Sequence, residues 1–390
     1  MEHAITRRQL LHSGTALLVA SRQLCDAANA DTESVRVIER SVISGQPTLY
    51  HGWPTLTRRS SGQLVLVWSG GREAHVCPFG RVEMMVSDDD GRHWSWPRVV
   101  LDSDLDDRDA GVLETPNGTL LVTTFTSLAY EPILERAERE KLWSAERVQR
   151  WRAAQNRLGA QQRPGELGTW MIRSTDGGRS WSPRFDCRVN SPHGPIALAD
   201  GRLLYAGKEL WRGPKSRIGV CESRDDGRTW DWLSTIPSRP GDDPLQYHEL
   251  HAVQAADGRI VAHIRNHNPA NAGETLQSES RDGGKSWSIP RSIGVWGLPS
   301  HLLKLADGRL LMSYGHRRRP YGIQARISGD HGQSWSQPLL LSDDGHSGDL
   351  GYPTTVQFPS GEFLTVWYEL PKGSTHAVLR QARWALNKVT

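Results

Sequence analysis

Ser87-Asp-Asp-Asp-Gly-Arg-His-Trp94 recurs four times further down the chain. It returns as Ser174-Thr-Asp-Gly-Gly-Arg-Ser-Trp181, Ser223-Arg-Asp-Asp-Gly-Arg-Thr-Trp230, Ser280-Arg-Asp-Gly-Gly-Lys-Ser-Trp287 and Ser328-Gly-Asp-His-Gly-Gln-Ser-Trp335. The common frame is Ser-x-Asp-x-Gly-x-x-Trp, and a repeat of this kind sets the architecture before any single element does. Between the copies runs a second repeat, a small polar residue and Gly followed by an apolar strand. Its glycines are Gly62, Gly118, Gly201, Gly258, Gly308 and Gly361, spaced 56, 83, 57, 50 and 53 residues apart. Asn-Gly and Asp-Gly between apolar runs are strong hairpin signals, because both residues tolerate positive φ.

Six hairpins at roughly 50-residue intervals imply six four-stranded units arranged radially, a β-propeller. The first five units carry both turns. The sixth lacks the Asp-bearing turn and ends in the strand-like His376-Ala-Val-Leu-Arg-Gln-Ala, so a strand near Val35 to Ile43 is expected to complete it and close the ring. Closure removes free sheet edges. The long second interval holds residues 130–162, rich in helix formers with apolar residues three to four apart. One or two helices inserted in blade two are expected there. The fold class is therefore all-β, a six-bladed propeller over residues 31–390. The repeated turn itself reads as structural: Asp accepts backbone N–H groups, Gly supplies positive φ and Trp packs beneath the blade.

Composition excludes several classes. Lys and Arg exceed Asp and Glu by three, with both signs interspersed and no basic block, so nothing points to nucleic acid. No apolar run is long enough for a membrane span. Cys25, Cys77, Cys187 and Cys221 show no CxxC spacing, so neither a metal nor a disulfide framework is implied. Thr6-Arg7-Arg8-Gln9-Leu10-Leu11, the apolar Ala16 to Ala20 and Ala28-Asn29-Ala30 have the layout of a twin-arginine export signal over residues 1–30. Periplasmic or secreted location follows as an expectation. Removal of the signal would leave three cysteines, an odd number. No feature of the sequence specifies an oligomeric state.

The strand order also locates the chemistry. Hairpin turns and Asp-bearing turns fall on one face, so the opposite mouth is built by residues just before each innermost strand and just after each second strand. Counting back from the turn glycines gives Pro54 (with His51 before it), Asp109, His193, Glu249, His301 and Tyr352. The second strands end at Arg72, Lys208, Arg265, His316 to Arg319, and Glu369. Polar groups converging on one mouth are the default site hypothesis.

Asp-bearing turns of this kind on a six-bladed propeller resemble the Asp boxes of the sialidases (neuraminidases), over nearly all of the chain after residue 35. More specific matches lie at the mouth. Glu249 precedes Arg265 by sixteen residues across a hairpin, and Tyr352 precedes Gly361 by nine, with Tyr368-Glu369 beyond the next strand. The resemblance implies Tyr352 as nucleophile, Glu249 as its base and Arg265 as a clamp on a substrate carboxylate. It places the fifth-blade arginine among Arg317, Arg318 and Arg319, with Arg318 and Arg319 together with His301 as substrate-binding candidates.

Two departures stand out. The family's first-blade Arg-Ile-Pro is Gly52-Trp53-Pro54 here, and the loop expected to carry the acid/base Asp reads Cys77-Pro78-Phe79-Gly80. Arg72 or Arg108 is then a candidate replacement clamp. Asp106, Asp107, Asp109, His51 and His193 are candidate acids or bases. The implied activity is removal of a terminal acidic sugar from a glycan or glycoconjugate, sialic acid or a related keto-sugar acid or uronate, with no metal and no organic cofactor. A polysaccharide lyase acting on uronates and a non-catalytic glycan-binding propeller are the competing readings, separated by whether the product is saturated, unsaturated or absent.

Overall fold

The computed structural model describes residues 33–211 and 216–387; the stretch read as an export signal, with Cys25, lies outside them. Strand β1 (Val35–Val42) comes first but belongs to the last blade. Blade one is β2 (Tyr50–Arg58), β3 (Leu64–Arg72), β4 (Arg81–Ser87) and β5 (Arg98–Leu101). Blade two is β6 (Asp106–Glu114), β7 (Leu120–Ser127), β8 (Thr169–Ser174) and β9 (Phe185–Asp186). Blade three is β10 (Ile196–Ala197), β11 (Leu203–Lys208), β12 (Ile218–Ser223) and β13 (Asp231–Thr235). Blade four is β14 (Tyr247–Gln254), β15 (Ile260–Asn266), β16 (Thr275–Ser280) and β17 (Arg291–Ser292). Blade five is β18 (Ser300–Lys304), β19 (Leu310–His316), β20 (Tyr321–Ser328) and β21 (Leu339–Gly345). Blade six is β22 (Leu350–Gln357), β23 (Phe363–Glu369), β24 (Val378–Leu386) and β1.

Each blade is a four-stranded antiparallel meander, and β1 pairs with β24 from Val35↔Leu386 to Val42↔Arg380. The chain's two ends thus share one sheet, closing the ring as the sequence implied. Apolar side chains from facing blades meet in six separate clusters, one per blade interface. The interface of blades one and six, for example, joins Leu64, Leu66 and Trp68 to Leu364, Val366 and Tyr368. The hydrophobic drive is therefore distributed around the ring rather than gathered in one central core.

The Asp-bearing turns work by satisfying backbone donors. In Ser280 to Trp287, Ser280 Oγ accepts the Gly284 N–H at 2.8 Å and donates to Asp282, which in turn accepts the N–H groups of Lys285 and Ser286. The tryptophan does more than pack beneath its own blade. Trp94 donates to Gln381 of blade six, Trp287 to Ser234 of blade three and Trp335 to Gln277 of blade four. Each of these turns pins its blade to the preceding one.

The insertion forms α1 (Glu131–Arg139), with a proline in its first turn, and α2 (Ala145–Gln155), whose Ser144 cap accepts the Arg147 N–H. Their buried face does not cover a blade core. Tyr130, Leu134 and Trp151 pack against Cys77, with Ala74, Val76 and Phe79 around it, all from the loop after β3. Cys77, Cys187 and Cys221 are buried free thiols. No helix among the described residues is long and apolar enough to cross a membrane.

Candidate active site

The mouth opposite the Asp-bearing turns is built by a repeated irregularity of the backbone. Trp53, Asp109, Glu249 and Tyr352 each stand nine residues before a hairpin Gly, and all four have positive φ, at 56°, 51°, 42° and 53°. All four lie in breaks of the innermost ladder, between Gly52 and Thr55, Arg108 and Gly111, His248 and Leu250, and Gly351 and Thr354. A bulge of this kind re-aims one side chain out of the strand's alternation. A non-glycine residue in that region of backbone space costs of order 1–3 kcal/mol, and such strain gathers at functional sites. In four of its six blades the propeller thus turns one inner-strand residue toward the axis at the mouth.

Three of the groups so assembled touch. Tyr352 OH donates to Glu249 Oε1 at 2.5 Å, and Arg265 Nη1 donates both to Glu249 Oε2 at 2.5 Å and to Tyr352 OH at 3.2 Å. Burial alone would push the Glu249 carboxyl up, but the Arg265 charge and hydrogen bond outweigh it and hold Glu249 below its usual value. Burial, then the charges of Glu249 and Asp109, push the Tyr352 phenol well up, so it keeps its proton at rest. The result is a protonated phenol bonded to a carboxylate that an arginine keeps ionised.

Around this trio stand Asp109, Arg108 and Arg317. Asp109 is 7% exposed. Burial, then the Glu249 charge, raise its carboxyl to about 7, against the pull of Arg108, Arg265 and Arg72. Arg108 lies with its guanidinium 4.6 Å from the Trp53 ring centroid, and its buried Nε has no partner. Arg317 is anchored through Nε to the Leu350 carbonyl at 2.8 Å, with its guanidinium 5.8 Å from the Tyr352 ring centroid. Three guanidinium groups thus face the Glu249 carboxylate and an Asp109 whose ionisation is disfavoured, an arrangement suited to an anionic ligand.

Several positions expected at the mouth stand elsewhere. The inner-strand position of blade one is Trp53 rather than Pro54. His51 is buried and locked between the Trp68 indole N–H (3.0 Å) and the Gln46 carbonyl (3.2 Å), its pKa lowered to about 4 by burial. Asp107 faces away from the mouth, with its oxygens on the backbone and side chain of Ser103. Arg72 is fully buried and spends both amino groups on Asp106, at 2.6 and 3.0 Å. His193 and His301 sit deeper, because each lies past the mouth level: His193 bridges Gly111, and His301 lies within β18. With His251 they form a cluster of rings 4.7–5.3 Å apart. All three line a cavity of about 650 Å³ that opens on the hairpin-turn face, away from Tyr352. Arg318 and Arg319 are exposed and lie over Trp296 and Tyr321. Glu369 points to Arg380 and Trp367.

Two neighbours of the site carry no repeat signal. His75 Nδ1 lies 3.1 Å from Asp349 Oδ1 and 2.8 Å from Tyr50 OH. Asp349 also accepts the hydroxyls of Tyr50 at 3.0 Å and Tyr368 at 3.1 Å. Burial would raise the Asp349 carboxyl, and these hydrogen bonds bring it below its usual value. The His75 ring meets Trp53 edge-on at 5.0 Å, and Trp53 meets Tyr352 at 6.3 Å. Among the described residues no group of three or more His, Cys, Asp or Glu is placed to hold a metal ion.

A sialidase of Micromonospora viridifaciens is 24% identical over 251 residues, covering 55% of this chain; the chain spans only 36% of that protein's length. The crystal structure of a protein of unknown function from Dyadobacter fermentans superposes with a TM-score of 0.71 at 23% identity, over 91% of this chain and all of that one. The NanB sialidase of Streptococcus pneumoniae superposes with a TM-score of 0.63 at 15% identity, over 91% of this chain and 71% of that one. At these identities the superpositions show a shared fold. The family model described as the BNR repeat-like domain matches residues 129–365, more than half of the sequence, and the chain belongs to that family as a divergent, sialidase-related member.

Proposed function

We propose that this protein is a glycoside hydrolase of the sialidase type, removing a terminal acidic sugar (sialic acid or a related keto-sugar acid or uronate) through a tyrosine nucleophile. The observation that carries the reading is the hydrogen-bonded trio of Tyr352, Glu249 and Arg265 at the channel mouth. Sialidases differ from most glycosidases in using tyrosine. A neutral phenol approaches an anomeric carbon that bears a carboxylate with less repulsion than a carboxylate nucleophile would meet. Because Tyr352 holds its proton at rest, attack requires transfer to Glu249 as the new bond forms. Arg265, Arg317 and Arg108 provide the donors for the substrate carboxylate. Asp109, whose carboxyl holds its proton more tightly than an ordinary carboxylate does, can donate a hydrogen bond on the floor to a sugar hydroxyl.

The test is a panel of aryl glycosides of acidic sugars assayed with wild-type protein and Tyr352→Phe. Hydrolysis to a saturated sugar by the wild type, lost by at least about 100-fold in the variant at an unchanged thermal midpoint, is expected. Full activity in Tyr352→Phe would remove the nucleophile assignment, and an unsaturated product would replace hydrolysis by elimination.

A further inference from the structure

The groups placed so far leave one step unserved. A terminal sugar seated against Tyr352 has its glycosidic oxygen toward solvent, where the rest of the glycan must extend. The donor of a proton to that oxygen therefore belongs at the rim, accessible and with a free ring or carboxyl atom. Asp109 is nearly buried on the floor beside Glu249. His75 is different: its side chain is 46% exposed, its ring lies against Trp53, and its only hydrogen bonds among the described residues go through Nδ1.

We propose that His75, oriented by Asp349, is the general acid and then the general base of this site, an inference that rests on the hydrolase reading above. Asp349 accepts two buried tyrosine hydroxyls, so its carboxylate is fixed before it meets the imidazole. A carboxylate on Nδ1–H fixes the tautomer, leaves Nε2 facing outward and stabilises the imidazolium.

The loop that carries His75 is held from both sides. Arg72 donates to the His75 carbonyl at 3.1 Å. Glu73 pairs with Arg147 and Arg150 of α2 and accepts the Trp151 indole N–H. Ala74, Val76, Cys77 and Phe79 pack on Tyr130, Leu134 and Trp151. The helical insertion thus buttresses the histidine loop, which is the support that a half-exposed group needs to stay within catalytic geometry.

Tyr352 oxygen bonds to the anomeric carbon while its proton passes to Glu249. The bond to the leaving oxygen breaks, and that oxygen takes the proton from His75 Nε2. A water then attacks the glycosyl-tyrosine and gives one proton to neutral His75. The tyrosine oxygen departs and recovers its proton from Glu249. Glycoside and water become free sugar and alcohol, with both residues restored.

Leaving-group dependence tests this. The full chain and the variants His75→Gln, Asp349→Asn and Asp109→Asn are assayed on two glycosides of one acidic sugar, a dinitrophenyl glycoside and an alkyl glycoside. A dinitrophenolate leaves without protonation, and an alkoxide does not. His75→Gln is expected to lose at least about 100-fold in kcat/KM on the alkyl glycoside and less than about tenfold on the aryl one. Asp349→Asn should show the same asymmetry in weaker form, as a positioning residue would. Asp109→Asn should lose activity on both substrates alike. Equal loss or no loss in His75→Gln, or the asymmetry appearing in Asp109→Asn instead, overturns the assignment while leaving the hydrolase reading intact. A wild-type protein inactive on every glycoside removes both.

Discussion

Arg72 and Arg265 each pair with a carboxylate, Arg265 at the mouth and Arg72 away from it, and they differ in what each has left over. Arg72 meets Asp106 with both amino groups, both side chains are wholly buried, and its remaining contacts are with Ser69 and the carbonyls of Asp107 and His75. It is a structural ion pair. Replacing Arg72 with Met leaves the buried Asp106 charge with only Arg108, 4.0 Å away, which should cost up to about 3–5 kcal/mol. A lowered thermal midpoint, restored in part by adding Asp106→Asn, is the expected result. Arg265 is engaged through Nη1 alone, so it keeps Nη2 for a ligand. Asp109 supplies a pH prediction. Its folded pKa of about 7 lies above the ordinary carboxylate value. Its stabilising contribution is therefore complete below about pH 4 and lost as pH rises through about 7. Asp109→Asn should match the wild type in thermal midpoint near pH 4 and exceed it at pH 8. An equal midpoint difference at both pH values would contradict the raised pKa.

At the scale of elements, the Asp-bearing turns and the mouth bulges are two devices repeated with the same period and put to opposite ends. The turns saturate polar atoms. Ser280 is 1% exposed and takes the Gly284 N–H, so Ser280→Ala should strip that donor of its partner and cost about 1–3 kcal/mol, read as a lower midpoint without loss of activity. The bulges do the reverse, turning polar side chains toward the axis at the cost of backbone strain. The turns were legible as a periodicity, because a turn residue and its distance from the next strand are local properties, and the mouth was legible only as polar residues counted back from each hairpin glycine. Which side chain of the bulge faces the axis was less so. Pro54 stood in for Trp53, because the bulge resets the alternation by one residue. His193 and His301 looked like mouth residues although they lie deeper in the channel, in blades whose inner ladders carry no such bulge. His75 and Asp349 were missed altogether. Their pairing spans 274 residues and joins blade one to blade six, and neither lies in a repeated register.

For the whole molecule, ring closure is the device on which the mouth depends. Tyr352 and Trp53 belong to the two blades that β1 helps to close, since β1 completes the sheet of β22 to β24. Removing residues 33–42 should expose the β24 edge and loosen the contact between blades six and one. Loss of the monodisperse state in size-exclusion chromatography, with a reduced midpoint, is the expected outcome. The insertion has a narrower role. It adds nothing to the blade interfaces and bears on one loop only. Trp151→Ala should therefore perturb the residues 73–79 loop more than the global midpoint, seen as faster amide exchange confined to that loop. Protection unchanged there would show that the helices do not hold it.

The sequence by itself determined six blades, the closing strand, the place of the insertion and the face on which polar groups gather. These follow from hairpin chemistry, hydrophobic alternation and spacing, which are written in neighbouring residues. Only the tertiary structure decided which of those polar groups meet. It set Glu249 against Tyr352 and Arg265, spent Arg72 on Asp106, turned Asp107 to Ser103 and brought His75 to Asp349. These pairings depend on the bulges in four of the inner strands and on how the blades meet around the axis. Both are set by packing between blades distant in sequence, and no local pattern encodes them.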